Sequence, residues 1–181
     1  CVDATADAAF AIDGDKDGVV DLQLGRDRGD LGARVVDLRF VLDTTGSMSA
    51  EIAAVKTTIQ KVAGALAKDQ VGVRVGLVEY KDRQDPLVTK AYPFATDLVA
   101  FGKQVSQIEA GGGGDVPEDM NAGLHTAMTQ LQWSERSVAR LAFVIADAPP
   151  HLDYDGPRYA DDTKTAAHRG IQLFTVAASG M

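Results

Sequence analysis

The chain is short of the residues that build redox and thiolate-metal chemistry. Its 181 residues hold one cysteine, Cys1, so no disulfide closes within it and no cysteine-based zinc site can form. The three histidines, His125, His151 and His168, stand apart without an H-x-x-x-H spacing, which argues against zinc altogether. No apolar run is long enough to span a bilayer, and no signal peptide is visible. Positive charge is scarce as well: 18 Lys and Arg face 26 Asp and Glu, a net charge of −8. Nothing in such a chain neutralises a phosphate backbone, so a nucleic-acid partner is excluded. The acidic balance suits divalent cations or simply a soluble surface. At 45% hydrophobic and 24% charged residues, the composition is that of one globular domain with a modest appendage.

The appendage is residues 1–33, rich in Asp, Ala and Gly. A cysteine at position 1 is what a lipid-anchored bacterial lipoprotein presents after processing; the cut end of a fragment would look the same. Within the segment, Asp13, Asp15 and Asp17 alternate, Gly18 follows, then Val19 and Asp21. This is the first part of an EF-hand-type calcium loop: three carboxylates, a glycine for the turn, the Val19 carbonyl, and an acid acting directly or through water. The twelfth position, where a bidentate Glu belongs, is Leu24. The string therefore resembles the calcium loops of dockerin and thrombospondin type 3 repeats more than a regulatory EF-hand, and a solvated acidic linker is the competing reading.

From Arg34 to Met181 the pattern alternates between strand and helix. Val35–Leu42 is apolar and β-branched, as a central strand requires. A helix is expected over Ser49–Lys68, with Ile52, Val55, Ile59 and Val62 at helical spacing. Strands follow at Val71–Tyr80 and Leu87–Phe94, the second as an antiparallel edge, then a helix over Asp97–Ile108. After the four glycines Gly111–Gly114, a helix runs from Asp119 to about Trp133. Strand Leu141–Ala146, helix Tyr159–Arg169 and strand Ile171–Ala177 complete the pattern. This order implies an α/β fold: a doubly wound, mostly parallel sheet with helices on both faces and one antiparallel edge strand.

The stretch around which the domain is organised is Leu38–Met48. An apolar strand ends in Asp43, and Thr45 and Ser47 follow at alternate positions before a helix. A carboxylate and two hydroxyls are hard oxygen donors, suited to Mg²⁺, Mn²⁺ or Ca²⁺. Alone, the string could equally be a turn in which Ser47 or Ser49 caps the helix. Two further segments change that balance. Asp147 ends the strand Leu141–Ala146, and the acidic loop Asp115–Asp119 precedes a helix. In a doubly wound sheet these three segments meet at one rim, beyond the carboxyl ends of the strands.

These residues resemble the von Willebrand factor A domain family, the I domain of integrins, over about residues 34–181. The family's metal-ion-dependent adhesion site carries D-x-S-x-S in its first loop, matched here by Asp43, Thr45 and Ser47, with Thr in place of the first Ser. Asp147 matches the aspartate of its third loop. Most members supply a threonine from the second loop, which is missing here. Asp115-x-Pro117-Glu118 instead looks like the I-like domain of integrin β subunits and the hemicentin-type or α-kinase-linked A domains, and the resemblance gives the ligand role to Glu118. The offset from Glu118 to Leu124 equals that from the usual threonine to its core leucine.

What the resemblance implies is a binding module and not an enzyme. A cation, Mg²⁺ or Ca²⁺ with Mn²⁺ an alternative, would sit on Asp43, Thr45, Ser47, Glu118 and Asp147. The carboxylate of a partner protein would complete its sphere, in an extracellular or cell-surface setting. The rival is an accessory domain of a larger enzyme, a kinase, chelatase or ATPase. By analogy with integrin β, a second calcium would use Asp82, Asp115, the Pro117 carbonyl and Glu118, although Gly113 replaces an asparagine ligand and Lys81 offers Asp82 an ion pair instead. Family members continue through a further helix and strand, so the chain is expected to be incomplete after Met181, with an exposed sheet edge. A Ser47–Asp147–His151 triad is disfavoured because the serine is not in a G-x-S-x-G elbow, and the glycine run lacks the Lys-Ser/Thr of a phosphate loop.

Overall fold

Val35–Asp43 forms strand β1, and its two faces explain its place at the centre of the sheet. Val36, Leu38, Phe40 and Leu42 are buried on one side, and Asp37, Arg39, Val41 and Asp43 are buried on the other. Only a strand covered on both faces hides every second residue in both phases. β1 runs parallel to β2 (Gly72–Tyr80) and to β4 (Ala139–Ala146). Beyond β4 lies β5 (Ile171–Ala177), also parallel, and beyond β2 lies β3 (Thr89–Ala95), antiparallel. The order β3-β2-β1-β4-β5 is read outward from β1 in two directions, so the topological switch falls between β1 and β4.

This computed structural model describes residues 35–68, 72–114, 116–130 and 132–178. Cys1, the anticipated calcium loop (Asp13, Asp15, Asp17, Val19, Asp21) and Asp115 lie outside the described residues.

Helices α1 (Ile52–Lys68) and α2 (Leu98–Ser106) cover one face of the sheet, and α3 (Met120–Thr129) and α4 (Tyr159–His168) the other. Under the first pair, Leu38, Leu42, Met48, Ile59, Val75, Leu77 and Val105 are almost completely buried. Each such aliphatic side chain contributes about 1.5–3 kcal/mol relative to exposure. Under the second pair, Val41, Val78, Tyr80, Leu124, Met128 and Trp133 do the same. α3 lies so close to β2 that a Cβ on Gly123 would stand 2.6 Å from the Tyr80 ring.

The helix boundaries that differ most from the sequence pattern are the start of α1 and the end of α3, each for a local reason. α1 begins at Ile52, after a 3-10 turn over Gly46–Ser49 whose N-cap, Thr45, makes no side-chain capping bond. Its hydroxyl is instead committed to Asp43, at 2.7 Å. α3 ends at Thr129 and leaves Trp133 outside the helix. The carbonyl of Ala127 in its last turn accepts from the Trp133 indole at 3.2 Å and from Arg39 at 2.9 Å; such side-chain donors take over where the helix ladder runs out. Among the described residues no helix is long and apolar enough to cross a membrane.

Candidate metal centre

The carboxyl ends of β1 and β4 and the entry to α3 place Asp43, Asp147 and Glu118 around the switch point. Asp43 is fully buried. Its Oδ1 accepts from the Thr45 amide at 2.9 Å and the Thr45 hydroxyl at 2.7 Å, and its Oδ2 from the Tyr80 hydroxyl at 3.4 Å. Thr45 Oγ1 in turn stands 3.2 Å from the hydroxyl of Ser47, which is exposed. The alternate spacing of the string thus becomes a chain of oxygens leading from the interior to the surface. Burial raises the pKa of Asp43, and the charge of Asp147 adds to the rise against the lowering by Thr45.

Glu118 is held by its backbone. Its amide donates to the Pro149 carbonyl and its carbonyl accepts from the His151 amide, both at 3.1 Å, which joins the second loop to the third. The side chain is buried, and Oε2 has no hydrogen-bond partner among the described residues. Its pKa is pushed up to about 7, first by burial and then by the charges of Asp43 and Asp82. Gly113, at φ +68°, makes room for it: a Cβ there would stand 2.6 Å from Glu118 Oε1. Asp147 is half-buried, and its Oδ1 is likewise unpartnered. Asp119, the other acid of the second loop, is committed elsewhere. It caps α3 through the Ala122 amide at 3.0 Å and pairs with Arg83 at 3.2 Å.

The loops are cross-tied. The Gly46 amide donates to the Gly112 carbonyl and the Gly111 amide to the Thr44 carbonyl, both at 3.0 Å. Lys81 bridges the same pair, its ammonium donating to the carbonyls of Thr44 and Gly111. Lys81 is therefore no ion-pair partner for Asp82. That acid accepts from the Tyr154 hydroxyl at 2.9 Å and lies 3.6 Å from His151 Nε2. Asp85, a residue of the turn after β2 with no role in the sequence reading, accepts from the amides of Asp82 at 3.1 Å and Gly113 at 2.8 Å. Nothing in the sequence pattern singled out Tyr154, which stacks on His151 with 3.7 Å between ring centroids and carries Arg83 on its ring at 4.1 Å. The Val116–Pro117 peptide is cis. His151 Nδ1 is 2.9 Å from Asp153, away from Ser47, so no triad forms.

A divalent cation suits this donor set. Buried carboxylate oxygens on Glu118 and Asp147 stand near Asp43, and among the described residues neither of these oxygens has a hydrogen-bond partner and no Lys or Arg pairs with any of the three acids. Among the described residues no three His, Cys, Asp or Glu are gathered tightly enough to hold an ion by themselves, so the Thr45 and Ser47 hydroxyls and water would have to share the coordination.

A doubly wound α/β domain with oxygen donors over its switch point is thereby defined. The sequence profile of the von Willebrand factor A domain matches residues 37–165, and the chain belongs to that family. It is 36% identical over 145 residues to the alpha-protein kinase vwkA of Dictyostelium discoideum, an overlap covering 76% of this chain and 22% of that protein. Its fold matches the pilus adhesin SpaC of Lactobacillus rhamnosus GG with a TM-score of 0.62 at 14% identity, covering 81% of this chain and 25% of SpaC. The conserved hypothetical protein BatB of Bacteroides thetaiotaomicron gives a TM-score of 0.58 at 18% identity, covering 79% of this chain and 65% of BatB. The chain thus spans about a fifth of the length of that kinase.

Proposed function

We propose that the chain is a protein-binding module whose grip depends on a divalent cation, with no catalytic role of its own. The observation that carries this reading is the pair of buried, unpartnered carboxylate oxygens on Glu118 and Asp147 beside the buried Asp43. Acids desolvated without a counter-charge are costly, and a cation with hard-oxygen preference removes the cost. Asp43, Thr45, Ser47, Glu118 and Asp147 would hold Mg²⁺ or Ca²⁺, with Mn²⁺ as a substitute. When bound, the ion supplies a Lewis-acidic position that an Asp or Glu of the partner completes. Thr45 orients Asp43, the backbone bonds of Glu118 fix the second loop, and Gly113 keeps space for the Glu118 carboxylate.

Thermal melts of the 181-residue chain with Mg²⁺, Ca²⁺ or EDTA test the reading. Binding to the folded state alone raises stability by about 2.7 kcal/mol when the ion is at a hundred times its Kd. Asp43→Ala should erase that gain while the chain still folds; an equal gain in the variant would sink the assignment.

The likeness to a kinase favours a second reading of the setting, in which the module serves assembly within a larger enzyme. A catalytic domain in the same reading frame supports it, and a reading frame without one removes it. Three further proposals stay with the sequence: a second cation on Asp82, Asp115, Pro117 and Glu118, calcium on the N-terminal loop, and a lipid-anchored, cell-surface setting through Cys1.

A further inference from the structure

Beside the candidate metal centre the third loop opens into a cavity of about 130 Å³. Its wall is built from Asn121, His151, Leu152, Tyr154, Tyr159 and Ala160, and the exposed Arg158 lines it as well. It shares structure with the metal rim: the His151 amide holds the Glu118 carbonyl, and the Tyr154 hydroxyl holds Asp82. Of the two buried polar residues of the wall, His151 leaves Nε2 without a hydrogen bond among the described residues, 3.6 Å from Asp82, and Asn121 is satisfied. Its amide donates to the His151 carbonyl at 2.5 Å, and its carbonyl accepts from the Tyr159 amide at 2.8 Å.

Two of the seven large apolar side chains exposed among the described residues line this cavity, Leu152 at 67% and Tyr159 at 41%, and Val116, at 69%, stands in the second loop two positions before Glu118. Apolar groups clustered on a rim mark an interaction site, whereas single ones are ordinary. Arg158 is exposed and makes no ion pair among the described residues. It is a spare positive charge at the edge of an acidic rim, complementary to a partner that arrives with an acid.

We infer that this cavity seats an apolar side chain of the partner, so that the segment recognised is an acidic one with a large apolar residue close to its coordinating Asp or Glu. The inference rests on the cation-dependent reading above and names the partner chemistry of that same surface. The volume of about 130 Å³ is near that of a dry cavity that admits benzene, about 150 Å³, so one side chain of the size of Leu, Met or Phe is the group it takes. Such an arrangement divides the work of binding. The carboxylate gives orientation and cation dependence, the apolar anchor gives affinity through buried area, and Arg158 speeds the encounter.

Selection of random peptides displayed on phage against the full 181-residue chain in Mg²⁺ tests this. The expected binders elute with EDTA and carry Asp or Glu with Leu, Met or Phe within a few residues. A selected peptide should lose roughly tenfold in affinity on Leu152→Ser with Tyr159→Ser, and as much on Ala160→Phe, which fills the cavity from the exposed first turn of α4. Arg158→Glu should weaken it severalfold, chiefly through the association rate. EDTA-sensitive acidic peptides with no apolar neighbour, or peptides indifferent to all three cavity variants, overturn the inference and leave the cation reading standing. Binders without acids, binders indifferent to EDTA and to Asp43→Ala, or no Mg²⁺-dependent binders at all, overturn both.

Discussion

Asp37 and Asp43 lie on the same strand and the same face, and both are completely buried. They are nevertheless in opposite electrostatic states. Asp37, near the start of β1, receives Arg74 on both oxygens at 2.8 and 2.6 Å and the Ser134 amide at 2.7 Å. Burial alone would raise its pKa, but the hydrogen bonds from Arg74 and Ser134 and the Arg74 charge outweigh it, and the net shift is downward. Nearby Arg39 is buried between Phe94 at 4.0 Å and Trp133 at 4.8 Å, where desolvation brings its guanidinium down to about 9. Asp43, at the other end, has only hydroxyl and amide partners, and its pKa moves up. The Asp37 end of the sheet has its cations built in, Arg74 paired with Asp37 and Arg39 held against two aromatic rings. The other end is left negative, and that asymmetry separates an acid paired with a cation inside the fold from an acid left with hydroxyl and amide partners.

The comparison breaks most visibly under substitution. Asp37→Ala strands Arg74 and a buried amide and should cost about 3 kcal/mol. Asp43→Asn in EDTA should be neutral or stabilising by about 1 kcal/mol, since it removes repulsion without emptying the site. Urea titrations of the two variants decide, and equal losses would show that both acids serve the fold. A smaller effect is expected at Gly113→Ala, where a side chain at φ +68° collides with Glu118: about 1–2 kcal/mol in stability and a weakened response to Mg²⁺ in melts.

The pH dependence sharpens the same contrast. Asp37 has a folded pKa below its unfolded value near 3.9, so its contribution is whole above that value and disappears as pH falls through the folded pKa. The stability gap between the wild type and Asp37→Asn, which titrates nothing at that position, should therefore stay constant above about pH 4 and close as pH falls below it, read by urea titrations followed by circular dichroism at a series of pH values. The smallest effect belongs to Ser47→Ala. Its side chain is exposed and only 3.2 Å contact with Thr45 is lost, so metal-free stability should stay within about 0.5 kcal/mol. The Mg²⁺-induced rise in Tm should still shrink.

The sheet was legible because its strands are apolar runs at βαβ spacing, and the antiparallel edge because Leu87–Phe94 follows β2 after a short turn. Ile171–Ala177 matches its strand to the residue. The start of α1 was not legible, since Ser47 and Ser49 look like caps in sequence and only the fold shows the 3-10 turn over Gly46–Ser49 that delays the helix to Ile52. The Asp37–Arg74 pair was missed for a similar reason. Polar residues in a strand read as its solvent face, and their burial depends on α3 and the Ser134 loop crossing over them. At the rim, Asp43, Glu118 and Asp147 could be proposed from strand ends and a family pattern. Tyr154 and Asp85 could not, because their contacts join residues up to 72 positions apart and follow no periodicity.

Lys81 gives the rim a mechanical character. With the two backbone hydrogen bonds between Thr44–Gly46 and Gly111–Gly112, its ammonium rivets the first and second loops into one plate anchored at the end of β2. Load applied to the first loop would then be shared with Gly111 and passed into the middle of the sheet instead of peeling one loop away. Pulling experiments on Lys81→Met should find the first loop detaching at lower force than in the wild type, where equilibrium stability changes less.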